Sequence, residues 1–174
     1  AAGAADVTLS AGSLVKGSLP AVYYHAADGK RYVFPNEKTY STWYSNFDGV
    51  LTISDSQLAG LAIGGNATYK PGAKMVKITT DPKVYAVDAG GTLRHVSTEA
   101  LATELYGANW NQLVEDVPDA FFVNYTIGSA IAAAADYDKA AIGAAATSIG
   151  VDKGISGAVT TPATPAATTL SAAD

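Results

Sequence analysis

A chain of 174 residues, 48% of them apolar, can bury the core of one ordinary domain or of two very small ones. Its formal charge of -5 and the lack of any Lys/Arg cluster disfavour a nucleic-acid-binding protein, which needs a basic surface to neutralise phosphates. The absence of cysteine excludes a disulfide framework and a thiolate metal site. No apolar run approaches the roughly 20 residues that a spanning helix requires, so we expect no membrane span.

The N-terminal residues 1–11 form the first predicted segment, an arm. The chain begins at Ala1 rather than at methionine, which suggests that an export signal has been removed and predicts an extracellular or cell-surface location. Within the arm, Val7 and Leu9 alternate with polar residues, a pattern typical of a short strand. A frayed terminus and an ordered edge or exchanged strand remain open alternatives.

An internal repeat dominates the next 120 residues or so, a length that accommodates two small supersecondary units. The stretch Pro20–Tyr44, PAVYYHAADGKRYVFPNEKTYSTWY, aligns without a gap with Pro82–Tyr106, PKVYAVDAGGTLRHVSTEALATELY. We therefore predict two repeats, residues 12–66 and 72–131. The link between them is short, so we expect one two-lobed domain, residues 12–131, with a shared core.

Each repeat should contain a β-hairpin. In the first copy, β-prone runs flank Asp28-Gly29, a dipeptide that tolerates the positive φ values of a tight turn. The second copy repeats the pattern around Gly90-Gly91.

Short helices and one further strand should complete each repeat. Helix start signals occur at Pro35-Asn36 and at Ser97-Thr98. A second helix should begin at the capping box of Ser54, and Pro118 is the matching first helical residue in the second copy. Residues 67–69 could form a strand that links the copies. The predicted fold class is α+β: two tandem repeats of β-hairpin plus short helices forming one two-lobed domain, flanked by extended terminal segments.

Residues 132–174 form a tail rich in Ala, Thr and Pro. Its alanines favour a helix up to Ala146, whereas the prolines at 162 and 165 require extended backbone around them. A disordered linker and a segment that packs on another chain are both compatible with this composition.

No combination of residues indicates catalysis. The two histidines, His25 and His95, do not occupy equivalent positions in the repeats, and no nucleophile elbow, phosphate loop or dinucleotide motif occurs. Glu37 and Glu99 are equivalent, but a carboxylate in a first helical turn is explained by the helix dipole. We therefore predict a non-enzymatic protein without catalytic residues, cofactor or metal.

Two sequons, beginning at Asn66 and Asn124, are candidate sites of N-glycosylation if the protein is exported. The Thr residues near proline in the tail are candidate O-glycosylation sites.

The repeat resembles a tandem module of secreted bacterial surface proteins of unassigned function. The similarity rests on the phrases GKRYVFPNEKTY, KMVKITTDPKVYAVD and VPDAFFVNY and covers residues 12–131. The whole chain also resembles the protomers of extracellular helical fibrils from environmental bacteria, in which a terminal extension of one subunit packs on others. This resemblance implies a structural role and no catalytic residues.

We therefore expect a self-assembling subunit of an extracellular helical fibre, with copies of itself as partners and with glycans as further candidate partners. The predicted subunit contacts are apolar side chains of the two terminal segments: Val7, Leu9, Ile155, Val159 and Leu170. A carbohydrate-binding module of the cell surface or cell wall is the alternative, because exposed aromatic rings can stack on sugars.

Overall fold

The structure is a computed structural model that describes residues 5–156. These residues form two five-stranded mixed sheets and several short helices. The fold class is therefore α+β, as predicted. The strands are β1 (Leu14–Lys16), β2 (Tyr23–His25), β3 (Arg31–Val33), β4 (Val50–Thr52), β5 (Ile63–Asn66), β6 (Met75–Ile78), β7 (Tyr85–Asp88), β8 (Thr92–His95), β9 (Val114–Val117) and β10 (Thr126–Ile127). The helices are α1 (Glu37–Trp43), α2 (Asp55–Gly60), α3 (Glu99–Tyr106), α4 (Asp119–Phe122), α5 (Lys139–Ala145) and α6 (Ile149–Asp152). Short 3-10 turns cover Ala89–Gly91, Trp110–Leu113 and Ala134–Asp136.

The two sheets have the same strand order. In the first half, residues 12–66, the order is β4-β1-β2-β3-β5, and in the second half, residues 72–131, it is β9-β6-β7-β8-β10. The central hairpin pairs are antiparallel and the edge strands are parallel to their neighbours in both sheets. The register also corresponds, since Leu14 lies opposite Val50 and Met75 lies opposite Val114.

Both predicted hairpins are confirmed. Strands β2 and β3 pair with Tyr24 opposite Tyr32, and β7 and β8 pair with Ala86 opposite Arg94. The first turn places Gly29 at a φ of 77°. Backbone in this region is accessible to glycine without a Cβ penalty, which explains the turn chemistry that the sequence displays.

The helix starts follow the local capping signals. The Asn36 side chain accepts a hydrogen bond from the Thr39 N–H, and the Thr98 hydroxyl accepts one from the Leu101 N–H. These caps satisfy backbone donors that have no partner within the helix. One expected boundary is wrong by a residue, because Pro118 is the N-cap of α4 and not its first helical residue.

The predicted linking strand is displaced toward the N-terminus. The strand is Ile63–Asn66, which pairs with β3, whereas residues 67–69 are buried without joining a sheet. Tyr69 is only 2% exposed, and its N–H donates a hydrogen bond to the Tyr125 hydroxyl rather than to a neighbouring strand. The link is therefore part of the core between the halves, because Tyr69 packs with apolar residues of the second half.

Residues 132–156 differ from the expected extended flank. They form a 3-10 turn and the helices α5 and α6, which return to the body of the chain. Tyr137, 2% exposed, joins the core of the second half, and Ile149, 1% exposed, joins the core of the first half. A few large apolar side chains thus anchor a segment made mostly of alanine and other small residues. No helix within residues 5–156 has the length and apolar character needed to cross a bilayer.

Candidate functional site

A cluster of three charged residues joins the two halves. The Lys38 ammonium from α1 donates to Oε2 of Glu115 on β9, and the Lys74 ammonium donates to Oε1 of the same carboxylate, both at 2.7 Å. Glu115 is buried, with 9% of its surface exposed. Burial alone would raise the pKa of its carboxyl, but the hydrogen bonds from both lysines outweigh burial and hold the pKa below its usual value. We call these three residues the Glu115 cluster.

The same contact continues beside the Glu115 cluster as a narrow apolar crevice. The first half contributes Pro35, Asn36 and Thr39 from the start of α1. The second half contributes Val117 and Phe121 among others from β9 and α4. The start of α1 thus faces the β9–α4 surface of the second half across this crevice.

The two sequon asparagines lie beside this crevice and contact each other. Asn66 Nδ2 donates to Asn124 Oδ1 at 3.2 Å. Nδ2 of Asn124 is buried and makes no hydrogen bond within the described residues. An N-glycan is attached through Nδ2, so glycosylation requires the hydrogen bond of Asn66 to break and the buried Nδ2 of Asn124 to become exposed.

The N-terminal arm lies on α2 in the part that the structure describes. The Val7 N–H donates to Oε1 of Gln57 at 2.9 Å, and Nε2 of Gln57 donates to the Val7 carbonyl at 2.6 Å. A side-chain amide thus binds both main-chain groups of one residue, as a neighbouring strand would. The Val7 side chain stays 41% exposed, and Leu9 is half-buried.

Ile155, predicted as a subunit contact, lies against its own chain. Its N–H donates to the Gly150 carbonyl at 2.8 Å, and its side chain packs against the core of the first half. The other two tail residues of that prediction, Val159 and Leu170, lie outside the described residues.

Helix α6 contacts both halves. The Gly150 N–H donates to the Tyr24 hydroxyl of the first sheet at 3.2 Å. Two residues later, Asp152 accepts a hydrogen bond from the Gly90 N–H of the second sheet at 2.8 Å. Burial raises the pKa of the Asp152 carboxyl despite this hydrogen bond. The helix therefore ties the β2–β3 hairpin to the β7–β8 hairpin.

Apolar side chains are exposed on three of the four edge strands. Leu51 on β4 is 42% exposed, Ile63 on β5 is 67% exposed and Ile127 on β10 is 55% exposed. Edge strands present unpaired main-chain groups, and natural proteins usually protect them with charged residues, proline or a covering element. On the fourth edge strand, β9, Glu115 is buried and accepts a hydrogen bond from Lys38 of α1.

Two open grooves occupy equivalent places in the two halves. The groove of the first half, about 490 Å³, is lined by Pro20, Val22, Phe34, Pro35, Glu37 and Phe47 among others. The groove of the second half, about 260 Å³, is lined by the counterparts Pro82, Val84, Val96, Ser97, Glu99 and Trp110. Each groove thus combines an aromatic ring from the loop after the first helix with a glutamate from the first turn of that helix.

The histidine and acidic side chains do not cluster as metal ligands within residues 5–156. No group of three or more His, Asp or Glu side chains there has a geometry that would hold a metal ion. The His95 ring lies 5.7 Å from the Tyr85 ring, with the two planes inclined by 52°, and lines the second groove, whereas the His25 ring contacts the Ser10 carbonyl at 3.1 Å. The histidines are therefore separated, one in each half.

Comparison with protein-family models, curated proteins and solved structures finds no match to this chain.

Sequence reasoning missed the Glu115 cluster and the paired grooves. Glu115 stands in β9 where β4 of the first half has Leu51, but only the strand registers reveal this correspondence, so the sequence offered no direct signal for the cluster. The grooves had a weak signal, since the aromatic residues Phe47 and Trp110 each follow the first helix of their half.

Proposed function

We propose that this chain is an exported structural subunit that polymerises into an extracellular helical fibre, and that its two halves are tandem copies of one unit. The observation that carries the proposal is the set of edge strands with exposed apolar side chains at Leu51, Ile63 and Ile127. Such edges favour association through main-chain hydrogen bonds, with apolar side chains buried at the contact.

The identical strand order of the two sheets supports the tandem-copy part of the proposal. The equivalent capping residues Asn36 and Thr98 and the equivalent grooves support it further. A duplicated unit has two similar surfaces on one chain, and repeated units of this kind propagate readily by stacking.

Terminal segments are the proposed connectors. The contact between Val7 and Gln57 supports this role for the arm, because it binds the arm through main-chain groups and leaves the Val7 side chain exposed. Residues 157–174 supply the second connector, and Val159 and Leu170 provide its apolar anchors. A connector that binds a neighbour head to tail does not close on itself and generates a filament.

Deletion of residues 157–174 tests the tail connector. The truncation retains Ile155, which packs on the core of the first half, so the truncated chain should keep its fold. We expect the full chain to form filaments in electron micrographs and the truncated chain to stay monomeric in sedimentation velocity. Filaments of the truncated chain that match those of the full chain would exclude the tail as connector.

Carbohydrate binding is the second candidate function, and the paired grooves favour it. Each groove presents an aromatic ring, Phe47 or Trp110, beside a glutamate that can accept hydrogen bonds from hydroxyl groups. On this proposal the full chain binds cell-wall glycans as a monomer, and the Trp110→Ala and Phe47→Ala variants each lose part of the affinity. Binding that is unchanged in the double variant would exclude the grooves as the glycan site.

A further inference from the structure

The contact between the two halves of one chain provides a template for a contact between chains. Within the chain, the start of α1 faces the end of β9 across a narrow crevice, and Lys38 reaches Glu115. The same two kinds of element occur a second time in the chain. The edge strand β4 of the first half corresponds to β9, and the helix α3 of the second half corresponds to α1, so these two elements could form the equivalent contact between chains.

The strand registers fix which residues correspond. Val15 lies opposite Leu51 in the first sheet, and Val76 lies opposite Glu115 in the second. Leu51 is therefore the counterpart of Glu115. The residue before β1, Ser13, corresponds in the same way to Lys74, which precedes β6.

The third member of the Glu115 cluster has a counterpart as well. Lys38 is the second residue of α1, and Ala100 is the second residue of α3. Ala100 is exposed. All three charged residues of the cluster are thus replaced together, by serine, leucine and alanine.

This joint replacement has a physical consequence. A buried carboxylate needs its cationic partners, and losing one partner leaves an uncompensated charge. A leucine opposite an alanine needs no cationic partner, and removing its exposed surface from water is favourable. Leu51 is 42% exposed and lies, together with Ser13, on an open groove of about 400 Å³. The place that corresponds to the Glu115 cluster is therefore open and uncharged in the first half.

The N-terminal arm borders the same surface. Gln57 is the fourth residue counted from the N-cap Ser54, as Phe121 is from the N-cap Pro118. Phe121 lies in the crevice beside the start of α1 within the chain, whereas Gln57 binds Val7. The arm therefore lies where it would flank an incoming helix.

We propose that the first turn of α3 of one copy packs on β4 of the next copy, with Ala100 against Leu51, in the manner in which α1 contacts β9 within the chain. The inference rests on the proposed function, since it specifies a contact of the assembling subunit. The occupant is a second copy of this chain because the contact continues the internal one. The two surfaces lie on different halves, so the contact is head to tail and propagates without closing.

The test exchanges the apolar pair for the charges of the internal contact. Leu51→Glu places an unpaired carboxylate in the contact and should raise the protein concentration needed for assembly by about tenfold or more. Combining Leu51→Glu with Ala100→Lys on the same chain should restore assembly, because each contact then contains a pair that reproduces Glu115 and Lys38. Val123→Glu is the matched control. Val123 is the C-cap residue of α4, is 80% exposed and lies outside the proposed contact, so this variant should assemble as the unmodified chain does.

Pelleting and electron microscopy over a concentration series provide the readout, with circular dichroism to verify the fold of each variant. Assembly of Leu51→Glu at the concentration of the unmodified chain would overturn the inference and leave the proposed function in place. Loss of assembly that Ala100→Lys does not restore would overturn the pairing with α3. An unmodified chain that stays monomeric at every concentration would overturn the proposed function itself.

Discussion

Removing the side chain of Ile149 tests whether residues 134–155 belong to the folded body. Ile149 is 1% exposed and packs in the core of the first half, while its neighbour Gly150 is hydrogen-bonded to Tyr24. Ile→Ala substitutions at buried sites cost about 2–5 kcal/mol, depending on how far the surroundings collapse into the cavity. Helix α6 has only four residues, Ile149–Asp152, and can shift inward, so we expect Ile149→Ala to cost about 2–3 kcal/mol.

The measurement is urea and thermal unfolding followed by circular dichroism, at a concentration where the chain is monomeric. In a chain of this size each kcal/mol corresponds to a fall in Tm of about 2–4 °C, so the expected fall is roughly 4–12 °C. Val151→Ala is the control in the same helix, because Val151 is 43% exposed and its truncation should change stability by less than about 0.5 kcal/mol. Equal and small effects of the two substitutions would show that α6 is not docked on the sheet.

Two further predictions concern the contact between the halves and the approach of α5. Glu115→Gln removes the shared carboxylate of the Glu115 cluster and should lower stability at neutral pH. The pKa of Glu115 is depressed in the folded chain. The stability that its carboxylate contributes is therefore present above the ordinary glutamate pKa of about 4.3 and is lost as the pH falls through the folded-state pKa. Unfolding midpoints of the variant and the unmodified chain should therefore converge in acid, and a gap that does not narrow as the pH falls would contradict this reasoning. Gly72→Ala should destabilise the chain more than Gly29→Ala does, as chemical denaturation would measure. Both glycines have a φ of 77°, but only at Gly72 would a Cβ meet a backbone carbonyl oxygen, at 2.6 Å; equal losses would refute the close approach of α5.

Local chemistry made much of each half predictable. The hairpin turn at Asp28-Gly29 and the caps at Asn36 and Thr98 depend on groups a few residues apart, so the sequence displays them directly. The sequence assigned no bounds to the edge strands, apart from the linking strand predicted at residues 67–69, which lies at Ile63–Asn66 in the structure. Local sequence patterns did not predict which element lies beside each edge strand.

The amino-acid sequence by itself therefore determined the two similar α+β halves, their hairpins and their helix starts. Only the tertiary structure decided that Lys38 meets Glu115, 77 residues away, and that Gly150 meets Tyr24, 126 residues away. Such contacts depend on how whole elements pack, and burial of a few side chains such as Ile149 outweighs the low apolar content of the segment that carries them. For the same reason, the Glu115 cluster and its uncharged counterpart at Leu51 became comparable only when the strand registers were known.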